Sequence, residues 1–140
     1  MSNLDFDSLM ERASTCGARQ QHIADLSEVG ASKISRATKG LEVIDHPDLR
    51  RIERVVVALE RILARSAGPL DFRELRTIRK IVDEFYTPLS IEEQSLLSGF
   101  ARGKPIEELA GSCKLSVPAF LAHVAGLIDR SSRESQTVKQ

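Results

Sequence analysis

The sequence predicts an all-α protein of about eight helices, in which a helix-turn-helix domain is followed by a second helical unit. Its apolar residues recur every three or four positions, the spacing of one buried helix face, and do not alternate as in strands. Glycine, proline or a capping residue separates most of these segments. Apolar residues make up 41% of the 140 residues, but aromatic residues only 4%. The core must therefore consist mainly of Leu, Ile, Val and Ala.

The N-terminal half contains four of the predicted helices. The first three span about residues 5–16, 19–28 and 31–38. The fourth begins near Pro47, whose fixed φ suits a first helical turn, and extends to Ser66. It carries one apolar stripe, formed by Leu49, Ile52, Val55, Val56, Leu59, Ile62 and Leu63.

The C-terminal half contains four more helices, and each has a recognisable start. Asp71 is the predicted cap of the fifth helix and Ser90 that of the sixth. Pro105 begins the seventh helix, and two acids in its first turn favour the helix dipole. Ser116 is the predicted cap of the eighth helix, which reaches about Arg130.

The chain accordingly divides into an N-terminal domain at residues 1–66 and a C-terminal unit at residues 67–130. The remaining residues, 131–140, are polar and lack an apolar period, so we expect a disordered tail.

Composition and motifs exclude several classes of function. Cys16 and Cys113 match no metal-ligand spacing, so we expect reduced thiols, no metal and no cofactor. The N-terminus lacks the features of a signal peptide, and no apolar run approaches the roughly 20 residues of a membrane span. We therefore expect a cytoplasmic, nucleoid-associated protein without membrane contact. No catalytic triad, phosphate-binding glycine loop or HExxH motif is present, so we do not expect an enzyme.

The segment from Gln20 to Gly40 carries the functional prediction. A helix-turn-helix needs a small residue where its helices cross, and Ala24 supplies it. It also needs apolar residues in the turn and inside the second helix, which are Val29 and Ile34. Between residues 31 and 40 the charges are three cations and no acid. The alternative is a helical hairpin with an accidental basic face.

This segment resembles the repressor/Cro (XRE-like) regulators, whose pattern reads Q-x-x-[LI]-A, a turn with V, then S-x-I-S-R and a later Gly. The resemblance covers about Gln20 to Leu59. It implies a repressor-type transcriptional regulator that reads the major groove of double-stranded DNA as a homodimer or higher homo-oligomer. One position departs from the pattern, because Glu28 stands where the turn usually has Gly. A positive φ would strain Glu28, so we expect a turn shifted to or rebuilt around Gly30.

The resemblance also implies which residues contact DNA. Gln20 would bond a phosphate, and the start of the third helix would lie over base edges, with Arg36 on guanine or phosphate. The implied contact residues are Gln20, Ala31, Ser32, Lys33, Ser35, Arg36 and Lys39. Arg50 and Arg51, with Arg54, are candidates for further phosphate contacts. A solvated face explains these three equally well, because acids lie among them.

The C-terminal unit resembles the four-helix HTH of LuxR-type regulators. The matching residues are Leu89, Ser90, Glu93, Leu97, Ala101, Gly103, Glu108, Leu109, Ala110, Leu115, Ser116 and His123. Where that family has a polar recognition helix, this chain is apolar at nearly every position from residue 117 to residue 128 and has no Lys or Arg there, so we do not expect it to bind DNA. We expect instead an oligomerisation face with Phe120, Leu121, Val124 and Leu127. The alternative is burial of that face inside the monomer.

A second class of function competes with DNA binding. The chain has 20 basic and 20 acidic residues, so no net positive charge attracts nucleic acid. An HTH-shaped antiactivator or adaptor that binds RNA polymerase or another regulator would have such a composition. The basic third helix favours DNA, and the apolar last helix favours a protein partner.

Overall fold

The chain is helical throughout the part that the structure describes. The computed structural model describes residues 5–66, 70 and 72–138, with side chains as far as Arg133. These residues form eight α-helices and one short 3-10 helix with no strand among them, which confirms the predicted all-α fold. The α-helices are α1 (Phe6–Thr15), α2 (Gln20–Ser27), α3 (Ala31–Thr38), α4 (His46–Arg65), α5 (Leu75–Asp83), α6 (Ile91–Ala101), α7 (Ile106–Ser112) and α8 (Val117–Val138).

Local capping explains where the later helices begin. The Ser90 hydroxyl accepts a hydrogen bond from the Glu93 amide at 3.1 Å, and the Glu93 carboxylate accepts one from the Ser90 amide at 3.0 Å. The Ser116 hydroxyl accepts from the amide of Ala119 at the start of α8. A 3-10 helix, Phe72–Glu74, precedes α5, and the predicted cap Asp71 lies outside the described residues.

The chain divides into two compact units, Met1–Glu60 and Arg61–Gln140. The division falls within α4, before the boundary predicted after residue 66. In the first unit, α2 and α3 pack against each other, and a bidentate pair of Arg12 with Glu60 links α1 to α4. The buried residues of this unit include Leu9, Ala13, Ile23, Ala24, Leu26, Val29, Ile34, Ala37, Ile44, Ile52, Val55, Val56 and Leu59.

Helix α8 is the central element of the second unit. It packs against α5, α6 and α7, and α7 meets it at an angle of 86°. One buried cluster consists of Leu109, Ala110, Phe120 and Val124. Partly buried apolar residues surround this cluster: Leu96, Leu97, Phe100, Ile106, Cys113, Leu115 and Ile128.

The apolar face of α8 therefore lies inside its own unit. Phe120, Val124 and Leu127 are at most 2% exposed, and Leu121 is half-buried. The expectation that these residues form an exposed oligomerisation face is wrong for the three buried side chains. An aliphatic face this wide is covered within the monomer, where its transfer from water stabilises the unit. The helix that approaches the small residues of α8 is α5.

Helix α8 also continues beyond its predicted end near Arg130. The backbone is helical to Val138, in the segment for which the sequence predicts a disordered tail, and residues 139 and 140 lie outside the described part. The contacts of Arg133 explain why α8 continues past Arg130 to the turn that contains Arg133. Its Nε donates to Asp129 one turn earlier at 3.0 Å, a spacing that stabilises helices. Its guanidinium also donates to the carbonyl of Phe85 and lies 4.0 Å from the centroid of that ring.

The adjacent Arg130 is buried with its charge fully partnered. Its side chain is 5% exposed and pairs with Glu93 through two contacts of 3.0 and 3.1 Å. It also donates to the carbonyls of Thr87 at 2.8 Å and Pro88 at 2.9 Å. Burial is the largest single influence on the pKa of Glu93 and raises it, but the hydrogen bonds from Arg130 and Ser90 and the charge of Arg130 together outweigh it and hold that pKa below its ordinary value of 4.5.

Asp129 is the second buried charge of α8, with 3% of its side chain exposed. Three arginines surround its carboxylate. Arg133 bonds it directly, while the Nε atoms of Arg61 and Arg65 lie 3.4 and 3.8 Å from its Oδ1 atom. The middle of α8 is thus held by charge to the C-terminal end of α4, within the same unit.

Neither a membrane-spanning helix nor a metal site occurs among the described residues. No single helix there is long and apolar enough to cross a membrane, and only α7 and α8 together, as a bent pair, meet that requirement in length and composition. No three His, Cys, Asp or Glu side chains of that part lie together as a metal site. Cys16 and Cys113 are free, and burial raises the pKa of the Cys16 thiol.

Gly126→Ala should destabilise the second unit. The added Cβ would lie 2.9 Å from Cγ2 of Ile81, so the α5 side chain must shift, at a cost of about 1–3 kcal/mol in a packed core. Gly111→Ala in α7 is the matched control, because nothing lies within 4 Å of its added Cβ and Ala favours a helix by roughly 1 kcal/mol over Gly. Denaturant unfolding should give opposite signs for the two variants. Equal stabilisation would mean that α5 and α8 do not approach closely.

Glu93→Gln should destabilise the same unit by about 3 kcal/mol at neutral pH, because it leaves the buried Arg130 cation with only the more distant carboxylate of Glu84, 3.8 Å away. The folded-state pKa of Glu93 is depressed, so its stabilising effect is complete above about pH 4.5 and is lost as the pH falls through the folded pKa. The difference in unfolding free energy between parent and variant should therefore narrow below that pH. Glu92→Gln, at an exposed neighbouring acid, is the control and should change little at either pH.

Candidate nucleic-acid interface

Helices α2 and α3 are short and are joined by a turn at residues 28–30. Ala24 in α2, Val29 in the turn and Ile34 in α3 are all buried, as predicted for them. Ser27 is buried as well, and its hydroxyl donates to the Ile23 carbonyl and accepts from the Val29 amide. The turn is therefore fixed by apolar packing and by side-chain bonds to its backbone.

Glu28 adopts the left-handed conformation at this turn, with φ 63° and ψ 17°. The expectation that the turn is rebuilt around Gly30 is wrong, because Gly30 has an ordinary φ of −54° immediately before α3. Glu28 thus occupies the conformation that the repressor-like pattern assigns to Gly, at a cost of roughly 1 kcal/mol. Burial of Val29 and Ile34 on either side outweighs that cost.

The exposed face of α3 is narrow and polar. With about 100° of rotation per residue, Ser32 and Arg36 lie about 160° from the buried Ile34, and Lys39 lies about 140° from it. All three are exposed. Ala31 is exposed beside them and Ser35 is half-buried.

Lys33 differs from the other cations of α3 in its position. It lies only about 100° from Ile34 around the helix and is half-buried on the flank of α3. Its Nζ atom is 2.6 Å from Oδ2 of Asp48 and 3.9 Å from Oδ2 of Asp45. The prediction that Lys33 opens the helix over base edges with Ser32 therefore needs correction, because its side chain is directed to the first turn of α4.

Arg36 is also paired with an acid. Its Nε atom donates to Oε1 of Glu42 at 2.7 Å, and about half of its side chain is exposed. Lys39 follows α3 and has no ion pair among the described residues. Among the described residues, Lys39 is therefore exposed and unpaired, Arg36 is exposed and paired, and Lys33 is half-buried and paired.

The ion pair of Lys33 with Asp48 shifts both titrations. Its hydrogen bond raises the pKa of Lys33 and holds the pKa of Asp48 below the ordinary 3.8. Asp45 supports this arrangement from the start of α4, where its carboxylate accepts a hydrogen bond from the Asp48 amide at 3.1 Å. Both members of the pair are therefore charged at neutral pH.

The remaining predicted contact residues lie on α2 and α4. Gln20 is the exposed first residue of α2. Arg50 and Arg51 are exposed near the start of α4, and Arg50 donates to His46 at 3.4 Å. Arg51 is close enough to lower the pKa of Asp48 electrostatically. The first turns of α4 thus bring Arg51 to the same charged cluster as Lys33.

A groove of about 570 Å³ runs beside the flank of α3 on the first unit. Its lining comes from α1, the connection to α2, the start of α2 and α3: Met10, Ser14, Ala18, Arg19, Gln20, Gln21, Ala31 and Thr38. The lining contains one cation and no acid. Among these residues, Ser14, Arg19, Gln21 and Thr38 are absent from the predicted site; the position of Arg19 directly before Gln20 is the signal that could have indicated it.

Sequence reasoning also missed the acids that face α3. Glu42, Asp45 and Asp48 follow α3 at intervals of three residues, and each lies within ion-pair distance of Lys33 or Arg36. Their regular spacing after a basic helix is visible in the sequence. Which cation each acid contacts depends on how the connection to α4 folds.

Comparison of the chain with protein-family models, curated proteins and solved structures gave no match.

Substitutions at residues 28 and 30 should separate the two possible locations of the turn. Glu28→Gly should stabilise the protein by about 1 kcal/mol and Glu28→Val should destabilise it, because only glycine adopts a positive φ without strain. Gly30→Ser should be neutral or stabilising, since its φ is ordinary, nothing lies within 4 Å of an added Cβ and serine favours a helix start. Thermal unfolding measures all three. A loss of stability at Gly30→Ser, with none at Glu28→Val, would locate the strained residue at 30.

Proposed function

We propose that the protein is a sequence-specific, double-stranded DNA-binding regulator of transcription that inserts α3 into the major groove. The one-sided burial of α3 is the observation that carries this proposal. Ile34 and Ala37 are in the core, while Ser32, Arg36 and Lys39 form the exposed face. A helix with such a polar face fits a B-DNA major groove about 12 Å wide.

The residues of this face have different roles in the proposal. Arg36 reads guanine or binds a phosphate, since its guanidinium can make two parallel hydrogen bonds. Lys39 and Gln20 bind the phosphate backbone, and Arg51 does the same from α4. The short side chains of Ala31 and Ser32 allow the start of α3 to approach base edges.

Self-association is part of the proposal, because HTH units act as pairs on half-sites about one DNA turn apart. Because Phe120, Val124 and Leu127 are buried, we place the contact between two copies of the chain on a surface other than this face of α8. A repressor-type regulator with these properties would be located on the nucleoid.

A second candidate function is that of an adaptor that binds RNA polymerase or another regulator. One specific observation favours it: Lys33 and Arg36 are already neutralised by acids of the same unit. A surface of balanced charges is more typical of a protein contact than of a phosphate-binding face.

Arg36→Ala should weaken DNA binding while leaving the fold intact, and this test separates the two candidates. The measurement is fluorescence anisotropy of a mixed-sequence duplex of about 30 base pairs, titrated at about 50 mM salt and upward. Loss of a phosphate contact should reduce the slope of log affinity against log salt concentration by about 1, and it should weaken binding to all DNA sequences alike. Loss of a base contact should cost about 1–3 kcal/mol on a selected operator.

Arg102→Ala is the matched control, because this arginine is exposed at the end of α6 in the other unit. It removes the same charge and should leave DNA binding nearly unchanged. If the parent does not bind the duplex at low salt, the DNA-binding proposal is wrong and the adaptor is favoured. If the parent binds and the two variants bind equally, DNA does not contact Arg36 and the placement of α3 in the groove is wrong.

A further inference from the structure

The proposed DNA-binding face carries its own counter-charges. Three cations in or directly after α3, Lys33, Arg36 and Lys39, are followed by three acids, Glu42, Asp45 and Asp48. The acids contact two of the cations at 2.6 to 3.9 Å. An acid held against a cation at this distance occupies the place that a phosphate oxygen would take.

We propose that Glu42, Asp45 and Asp48 compete with DNA phosphates for the cations of α3 and thereby suppress non-specific DNA binding. The inference rests on the proposed DNA-binding function and describes how that same site is restrained. Carboxylates beside a DNA-binding face repel phosphates, and the inference gives these three acids a role in spite of that repulsion.

The two pairs restrain the face to different degrees. Arg36 and Glu42 form an exposed pair, since Arg36 is 52% exposed, and exposed pairs exchange partners at little cost. Asp48 is 20% exposed and holds Lys33 on the flank of α3. Arg36 can therefore change from Glu42 to DNA, whereas Lys33 stays with Asp48 and contributes little to binding.

The competition acts mainly on binding without base contacts. Non-specific complexes depend almost entirely on phosphate contacts and counterion release, so two occupied cations remove much of their affinity. A specific site adds base contacts from Arg36 and Ser32, which can offset the cost of displacing Glu42. The acids thus lower the occupancy of random DNA, which greatly outnumbers operator sites.

Neutralising the acids tests this inference on the full-length protein. Glu42→Gln and Asp48→Asn should each raise affinity for the mixed-sequence duplex by about two- to fivefold at low salt. Each freed cation should also steepen the dependence of log affinity on log salt concentration by up to about 0.9. Glu108→Gln, at an exposed acid of α7, makes the same change in net charge and should have little effect.

A double-mutant cycle identifies the released cation. Lys33→Gln should change affinity little in the parent, where Asp48 occupies Lys33, and should weaken binding severalfold in the Asp48→Asn protein. Thermal unfolding of every variant checks the fold. Glu42→Gln lies outside the helices, so it keeps the test valid if Asp48→Asn proves unstable.

The outcomes separate this inference from the function on which it rests. If neither the parent nor any variant binds duplex DNA at low salt, the DNA-binding proposal fails. If the parent binds, and stable Glu42→Gln and Asp48→Asn proteins bind no more tightly than it does, the competition alone is refuted. An equal gain with Glu108→Gln would also overturn it, because net charge would then explain the effect.

Discussion

Both units depend on short aliphatic side chains, because only 4% of the residues are aromatic and none is Trp. Phe85 and Phe120 are the large rings buried in the second unit. Elsewhere the cores close only where helix backbones approach each other, so small residues are needed at the points of contact. Ala24 is such a residue in the first unit and Gly126 in the second. The same constraint accounts for the left-handed Glu28, since a tight turn lets Val29 and Ile34 enter the core together.

Charge in this protein is used locally and in pairs. The equal numbers of acids and bases create no net attraction for a polyanion. Instead, Arg12 pairs with Glu60 within the first unit and Arg130 with Glu93 within the second. Lys33 and Arg36 of α3 follow the same rule, and their acids belong to the next segment of the chain. A polyanion that binds either of these two cations must therefore replace a partner already present.

Local patterns predicted the helices well, whereas contacts between distant residues were not predictable. The caps at Ser90 and Ser116 and the burial of Ala24, Val29 and Ile34 follow from short spacings. The face of α8 appeared exposed in the sequence because nothing there shows that α5, α6 and α7 cover it. Glu28 was misjudged because a local steric cost was weighed without the packing that offsets it. The partner of Lys33, Asp48, lies 15 residues away, beyond the reach of helical periodicity.

Arg130 has a consequence for how the second unit opens. It joins the carbonyls of Thr87 and Pro88, in the connection between α5 and α6, to the far part of α8, 43 residues along the chain from Thr87. The connection cannot detach while α8 stays in place without leaving a buried cation unsatisfied. Native proteins fluctuate in cooperative blocks that share such contacts. The connection and the turn of α8 around Arg130 thus form one block, and transient exposure of either to solvent requires the other to open with it.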